Sequence, residues 1–227
     1  MAVRNGVGPE AGRGVTGTAS GQPHYWAEAV RHLQRRDRIL RRLVPQHAGA
    51  SLGVPVPAFT SLARIIISQQ LSTRSAEQAW QRFEQACGHP NPGPEAVQAL
   101  DARTGLDCLP RRKADYIRAL AGRFTGEWAQ QPPDWQALDD EAAIVQLGKI
   151  RGVGRWTAEM FLIFHLQRPD VLPLDDAGLL KAISLHYFSG EPVSRFEARE
   201  VAQAWSPWRT VAAWHLWRSL DPASVRY

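Results

Sequence analysis

Apolar residues recur three and four apart along most of this chain and seldom alternate, which predicts helices and almost no strand. From about Tyr25, the residues Trp26, Ala29, Val30, Leu33, Ile39, Leu40 and Leu43 fall on one side of a helix, with Arg31, Arg35, Arg36 and Arg38 mostly elsewhere. A basic outer face of this kind reads first as solvated surface and only second as a contact to a polyanion. Pro55 and Pro57 close a loop, and a helix over about Phe59 to Ser68 follows, with Leu62, Ile65 and Ile66 at helical spacing. Ser68-Gln69-Gln70-Leu71-Ser72 interrupts it. Ser72 or Thr73 caps the next helix, whose stripe is Ala76, Ala79, Trp80, Phe83 and Cys87 and whose end is Gly88. The interrupting loop is therefore presented rigidly between two packed helices.

His89 to Pro94 is a Pro-rich connection, followed by a short helix around Glu95 to Leu100. Another helix begins near Pro110 with Ala114, Ile117, Leu120, Ala121 and Phe124 on one side, and it opens on Arg111, Arg112 and Lys113. That triplet sits at the end of the helix where the dipole disfavours cations, so it either faces phosphate or forms a solvated cluster. Pro132 and Pro133 mark a further loop, and Asp139 or Asp140 caps the helix that follows. Met1 to Gln22 holds six glycines and almost no large apolar residues, too little to offset the entropy of ordering, so a flexible tail is expected over 1–22.

Gly152 and Gly154 break a helical pattern that stops near Leu147 and resumes at about Arg155, which predicts a hairpin between two helices. Such a turn is either a plain connection or a place where backbone amides and the positive end of the next helix meet a phosphate. The next helix carries Trp156, Met160 and Ile163 on one face and Ala158, Phe161, Leu162 and Leu166 over much of the rest, so it is buried nearly all round. Arg168-Pro169-Asp170 ends it, and the extended Val171-Leu172-Pro173-Leu174 delivers Asp175 and Asp176 to the start of another helix. By local rules alone, both aspartates are N-terminal residues stabilised by the helix dipole. Ser206-Pro207 starts the last helix, which carries Trp208, Trp214 and Trp217, with Trp205 just before it. No internal repeat is present, and the fold class expected is all-α.

At 227 residues, with 44% hydrophobic and 22% charged content, the chain can bury a core in one or two domains. Lysine and arginine number 27 against 22 acidic residues, giving +5 and a pI near 9.7, which fits a polyanion-binding surface without requiring one. Cys87 and Cys108 are the only cysteines and lack metal-like spacing, which leaves a disulfide framework, a zinc site and a four-cysteine iron-sulfur cluster unsupported. No apolar run of membrane-spanning length and no signal-peptide core occur, so a cytoplasmic protein without a membrane partner is expected.

Three motifs carry a resemblance: Gly-Val-Gly-Arg-Trp-Thr-Ala from Gly152, Leu-Pro-Leu-Asp-Asp from Leu172, and Ile-Ile-Ser-Gln-Gln-Leu-Ser from Ile66 to Ser72. Together they resemble the helix-hairpin-helix DNA glycosylases and, within them, the DNA-3-methyladenine glycosylase II group, over roughly Phe59 to Trp217. The resemblance implies a two-lobed fold with the active-site cleft between the lobes. One lobe would comprise residues 23–67 plus 168–227, and the other residues 68–167 with the hairpin at 140–166. The β-rich N-terminal domain of a larger relative is not expected here.

The same resemblance implies a monomeric enzyme of base excision repair, associated with the nucleoid when bound, that flips an alkylated purine out of duplex DNA and hydrolyses its N-glycosidic bond. It assigns catalysis to Asp176, with Asp175 as its capping partner. Trp156, Met160 and Trp217 would line the base pocket, where indole faces suit a cationic base. Met160 stands where the best-known bacterial relative has tyrosine. The amides of Gly152, Val153 and Gly154 and the Thr157 hydroxyl would hold DNA, and Gln70 or Leu71 would be the wedge that fills the vacated stack. Carbonyls of Gly148, Ile150 and Val153 would hold a structural Na+ or K+, with no other cofactor required.

An alkylated purine already carries positive charge, so its departure needs no general acid, and one ionised carboxylate suffices to stabilise an oxocarbenium-like sugar. Strand-cutting members of the superfamily have a lysine where Trp156 stands, and that lysine forms a Schiff base, so lyase activity is not expected. The rival readings are a non-catalytic hairpin module that only binds DNA and a glycosylase for oxidised or mismatched bases.

Overall fold

A computed structural model describes residues 21–102 and 105–221, and every regular element among them is helical. Residues 1–20 of the expected tail lie outside the described residues, while Gly21 is buried, packed so closely on Val54 that a side chain there would collide with it. The helices are α1 (Trp26–Arg36), α2 (Arg38–Leu43), α3 (Ala58–Ser68), α4 (Thr73–Cys87), α5 (Pro94–Gln98), α6 (Arg111–Thr125), α7 (Glu127–Gln130), α8 (Asp140–Leu147), α9 (Arg155–Phe164), α10 (Ala177–Tyr187), α11 (Arg195–Ala202) and α12 (Arg209–Leu220). Short 3-10 turns occupy Val44–His47, Trp135–Ala137 and Gln203–Trp205.

The apolar spacing found most of these helices, and polar caps fix their ends. Ser72 caps α4 by accepting from Ser75 N, Gly88 closes it at φ +81°, and Asp139 caps α8 by accepting from Ala142 N. The single helix expected from Tyr25 to Leu43 is two, because Asp37 breaks it. Asp37 Oδ1 accepts from Ile39 N and Leu40 N at 2.8 and 2.9 Å, and its Oδ2 accepts from Tyr187 Oη and Trp205 Nε1 at 2.8 and 3.0 Å. A buried carboxylate is tolerated only when such donors replace its lost water. These four bind α2 to α10 and to the turn before α12. The last helix starts at Arg209, two residues after the expected Pro207, with Trp208 at its cap.

Main interhelical contacts fall into two groups. α1 and α2 pack on α12, which packs on α10, and α10 touches α11. Separately, α3 packs on α4, α6 and α9, α8 on α9, and α6 on α5 and α7. α3 thus sits with the hairpin helices, and the boundary expected between residues 67 and 68 falls at its last turn. Full burial of a Leu or Phe side chain contributes roughly 1.5–3 kcal/mol, and α9 is covered on every side from Thr157 to Phe164. That helix is consequently the fixed reference from which the hairpin projects. No described helix is long and apolar enough to cross a membrane.

Candidate active site

A cleft of about 1420 Å³ runs from the α3–α4 loop, past the hairpin, to the start of α10 and the end of α12. Small-molecule pockets occupy roughly 300–1,000 Å³, so this one suits part of a polymer better than a metabolite. It brings together Gln70, Leu71, Gly152, Gly154, Trp156, Thr157, Met160, Asp176 and Trp217, residues spread over most of the chain. Gly148, Ile150 and Val153 do not line it.

Asp176 is the N-cap of α10, its Oδ1 accepting from Leu179 N at 2.6 Å. Trp217 Nε1 donates to the same oxygen at 2.8 Å, and Trp156 Nε1 donates to Oδ2 at 2.9 Å. A carboxylate has about four acceptor positions, so three N–H donors fix its plane and leave one lone pair on Oδ2. Gly178 permits this arrangement, since a Cβ there would lie 3.1 Å from Asp176 Oδ1 and 3.5 Å from the Trp217 ring. Capping therefore belongs to Asp176 itself and not to Asp175, which is exposed and pairs with Arg195 at 2.6 Å. The indoles expected as pocket walls use their N–H groups to hold the carboxylate. Trp217, stacked on Phe164 with centroids 6.0 Å apart, is 8% exposed, and Met160 is only 1% exposed at the cleft floor.

The hairpin needs glycine at residue 152 for two reasons. Its φ is +91°, and a methyl there would run into the Tyr116 ring, over which Arg112 and Arg151 also lie. The amides of Gly152 and Gly154 donate to no acceptor among the described residues. Val153 is different: its side chain is buried and its amide donates to Ile150 O at 3.0 Å, so it is not a free donor. Thr157 is 2% exposed, and its Oγ1 accepts from Gln69 Nε2 at 2.9 Å, which turns it toward the neighbouring loop instead of solvent. Arg155, at the helix start, bonds Glu141 and Glu159. Burial pushes the Glu159 carboxyl up to about 7, against the pull of Arg155, and its Oε2 has no hydrogen-bond partner among the described residues.

Gln70 sits at φ +59°, and Leu71 is 42% exposed, both at the cleft rim. Several cleft residues carried no sequence signal. Arg64 pairs with Glu77 at 2.6 Å and lies over the Trp80 ring, and Lys181 enters the cleft from α10 one turn beyond Asp176. Lys113, expected at a phosphate or in a solvated cluster, points inward to the end of α3. Arg31, Arg35, Arg36, Arg38, Arg41 and Arg42 are all exposed on α1 and α2, with Glu28 the one exposed carboxylate there, because Asp37 is turned into the core.

The family model described as HhH-GPD superfamily base excision DNA repair protein matches residues 63–207. In sequence, the chain is 31% identical over 164 residues to DNA-3-methyladenine glycosylase 1 of Schizosaccharomyces pombe, covering 71% of this chain and 72% of that one. In structure, it is similar to the 3-methyladenine DNA glycosylase of S. pombe in complex with abasic DNA, with a TM-score of 0.70, 28% identity and coverage of 88% and 98% of the two chains. It is also similar to the 3-methyladenine DNA glycosylase from Archaeoglobus fulgidus, with a TM-score of 0.72, 25% identity and coverage of 90% and 78%. The family match takes in the α3–α4 loop, the hairpin and Asp176, and it spans more than half of the sequence; this chain belongs to the HhH-GPD superfamily of base excision DNA repair proteins.

Proposed function

We propose that this chain is a monofunctional DNA glycosylase that removes alkylated purines, 3-methyladenine among them, from double-stranded DNA, acting as a monomer. The observation that carries the reading is the Asp176 carboxylate, held by three N–H donors in a cleft whose rim is a glycine hairpin. The names of the relatives support the substrate class.

As the cationic base departs, positive charge builds on the sugar. Asp176 faces that charge with a fixed geometry and needs no reorganisation, the condition under which electrostatic stabilisation is largest. The lone pair remaining on Oδ2 can also orient a water for attack on the sugar. Before this, the nucleotide leaves the stack, with Gln70 or Leu71 entering the gap from the rim. The free amides of Gly152 and Gly154, together with the positive end of α9, hold the backbone phosphate. A monovalent cation would be held by the carbonyls of Gly148, Ile150 and Val153. The Ile150 carbonyl already accepts one hydrogen bond, from Val153, and keeps a second lone pair for an ion.

Lys181 bears on the absence of lyase activity, because it places an amine in the same cleft. Trp156 occupies the hairpin position at which a Schiff-base lysine is expected in strand-cutting members, and the proposal is that Lys181 does not replace it. Incubation of the protein with methylated duplex DNA tests both claims together. Free 3-methyladenine should appear while the strand stays intact until alkali is added. Binding without base release would leave the non-catalytic module as the account, and strand scission without alkali would make Lys181 a nucleophile.

A further inference from the structure

The loop that carries Gln70 and Leu71 is fastened from two directions. Gln69 Nε2 donates to Gly152 O and to Thr157 Oγ1, both at 2.9 Å, and so joins the loop to the hairpin and to the first turn of α9. From the first turn of α6, Lys113 Nζ donates to Ile67 O at 2.6 Å and to Gln69 O at 2.8 Å. The last carbonyls of a helix lack partners inside it, and a cation there also answers the negative end of the dipole. Lys113 therefore completes the end of α3 where the chain turns into the loop. Burial lowers its pKa below the usual lysine value. A third tie, Leu71 N to Ser68 O at 3.0 Å, closes the turn and holds Gln70 in the left-handed region at φ +59°.

These contacts fix a distance. The hairpin amides of Gly152 and Gly154 mark one end of it, and the side chains of Gln70 and Leu71 mark the other. A loop free to move would have to be ordered each time it entered the stack, and that entropy would be set against extrusion of the base. A loop already bonded to the hairpin enters as the phosphate is gripped.

We propose that Gln69 and Lys113 are positioning residues that lock the intercalating loop to the phosphate-binding hairpin, so that gripping the backbone and filling the vacated stack are one event. The proposal rests on the base-flipping reading above. Its effect is confined to extrusion: neither residue touches Asp176, and chemistry on a base already outside the stack does not need them.

The test compares single-turnover release of 3-methyladenine from two DNAs, one with the lesion paired in a duplex and one with it unpaired in a single-nucleotide bulge. Lys113→Met keeps most of the side-chain length and removes the donor, and Gln69→Leu does the same for the second tie. Each should slow release from the paired lesion by about tenfold or more, a loss typical of misplacing groups that must act in register, and leave release from the bulge within about threefold of wild type. Lys113→Arg should recover part of the paired rate. Equal slowing on both DNAs, or none on either, would overturn the proposal. If Lys113→Met does not fold, as judged by thermal unfolding, Gln69→Leu decides the matter alone. A wild-type protein that releases no base from either DNA would instead overturn the enzymatic reading, and the proposal with it.

Discussion

On the wall formed by α9, α10 and α12, the cleft presents side chains, a carboxylate set between two indoles, whereas along the rim formed by the hairpin and the α3–α4 loop it presents backbone amides and a turn held in the left-handed region. The first wall is rigid because each donor to Asp176 belongs to a different helix or turn. Its contacts are polar, directional and half-buried. The rim is rigid for another reason: the long side chains of Gln69 and Lys113 tie its loop to the hairpin, to α9 and to the end of α3. In the proposed function, chemistry falls on the wall where three donors fix the carboxylate, and grip falls where backbone amides can meet DNA of any sequence. Six exposed arginines, Arg31, Arg35, Arg36, Arg38, Arg41 and Arg42, lie away from both walls on α1 and α2. Arg74 at the start of α4 and Arg151 and Arg155 at the hairpin are exposed beside the cleft as well, so positive side chains flank the rim in addition to its backbone amides.

If the two walls do separate tasks, a change on one should leave the task of the other nearly intact. Gly152→Ala strikes the rim. It forces a side chain into a strained backbone region and against Tyr116, at roughly 1–3 kcal/mol of stability. Displacement of the hairpin amides should separately lower affinity for duplex DNA about tenfold or more, the equivalent of roughly 1.4 kcal/mol of lost binding, while release of base at saturating DNA stays close to wild type. Loss of release without loss of affinity would break the division. An effect on rate instead of affinity is expected on the other wall from Trp217→Phe, which keeps a ring and removes one donor from Asp176 Oδ1. A hydrogen bond to a charged group contributes roughly 1.5–3 kcal/mol, so release at saturation should fall about ten- to a hundredfold with unchanged affinity. An affinity loss equal to the rate loss would show that the indole serves DNA binding and not the carboxylate.

How far each wall was legible in the sequence follows the same division. The hairpin glycines and the Asp-Asp pair stand in short motifs, and α3, α4, α6 and α9 announce themselves by apolar spacing, because local sequence decides them. Which aspartate caps α10 is also local in principle: Asp176 lies three residues before Leu179, the spacing of a cap to the amide it accepts. The cap that Asp37 places on α2 is local, but its burial was not legible, since its partners Tyr187 and Trp205 lie 150 and 168 residues away. For the same reason, Gln69 looked like one polar residue of a loop and Lys113 like one cation of three. Their acceptors are 83 and 46 residues away, and no periodicity reports a contact of that range. The capping box Ser194–Glu197 at α11 shows the opposite case, a local signal of the Ser-x-x-Glu type that is plain in the sequence.

The central claim is that Asp176 performs the chemistry and that Asp175, beside it and paired with Arg195, does not. Release of 3-methyladenine from methylated duplex DNA should be measured for wild type, Asp176→Asn and Asp175→Asn, with binding followed in parallel. Asp176→Asn should bind within about threefold of wild type and release base about 10²–10³-fold more slowly, the loss expected when a preorganised electrostatic group is removed. Asp175→Asn should stay within about threefold on both counts. Near-normal release by Asp176→Asn, or an equal loss in Asp175→Asn, would contradict the account.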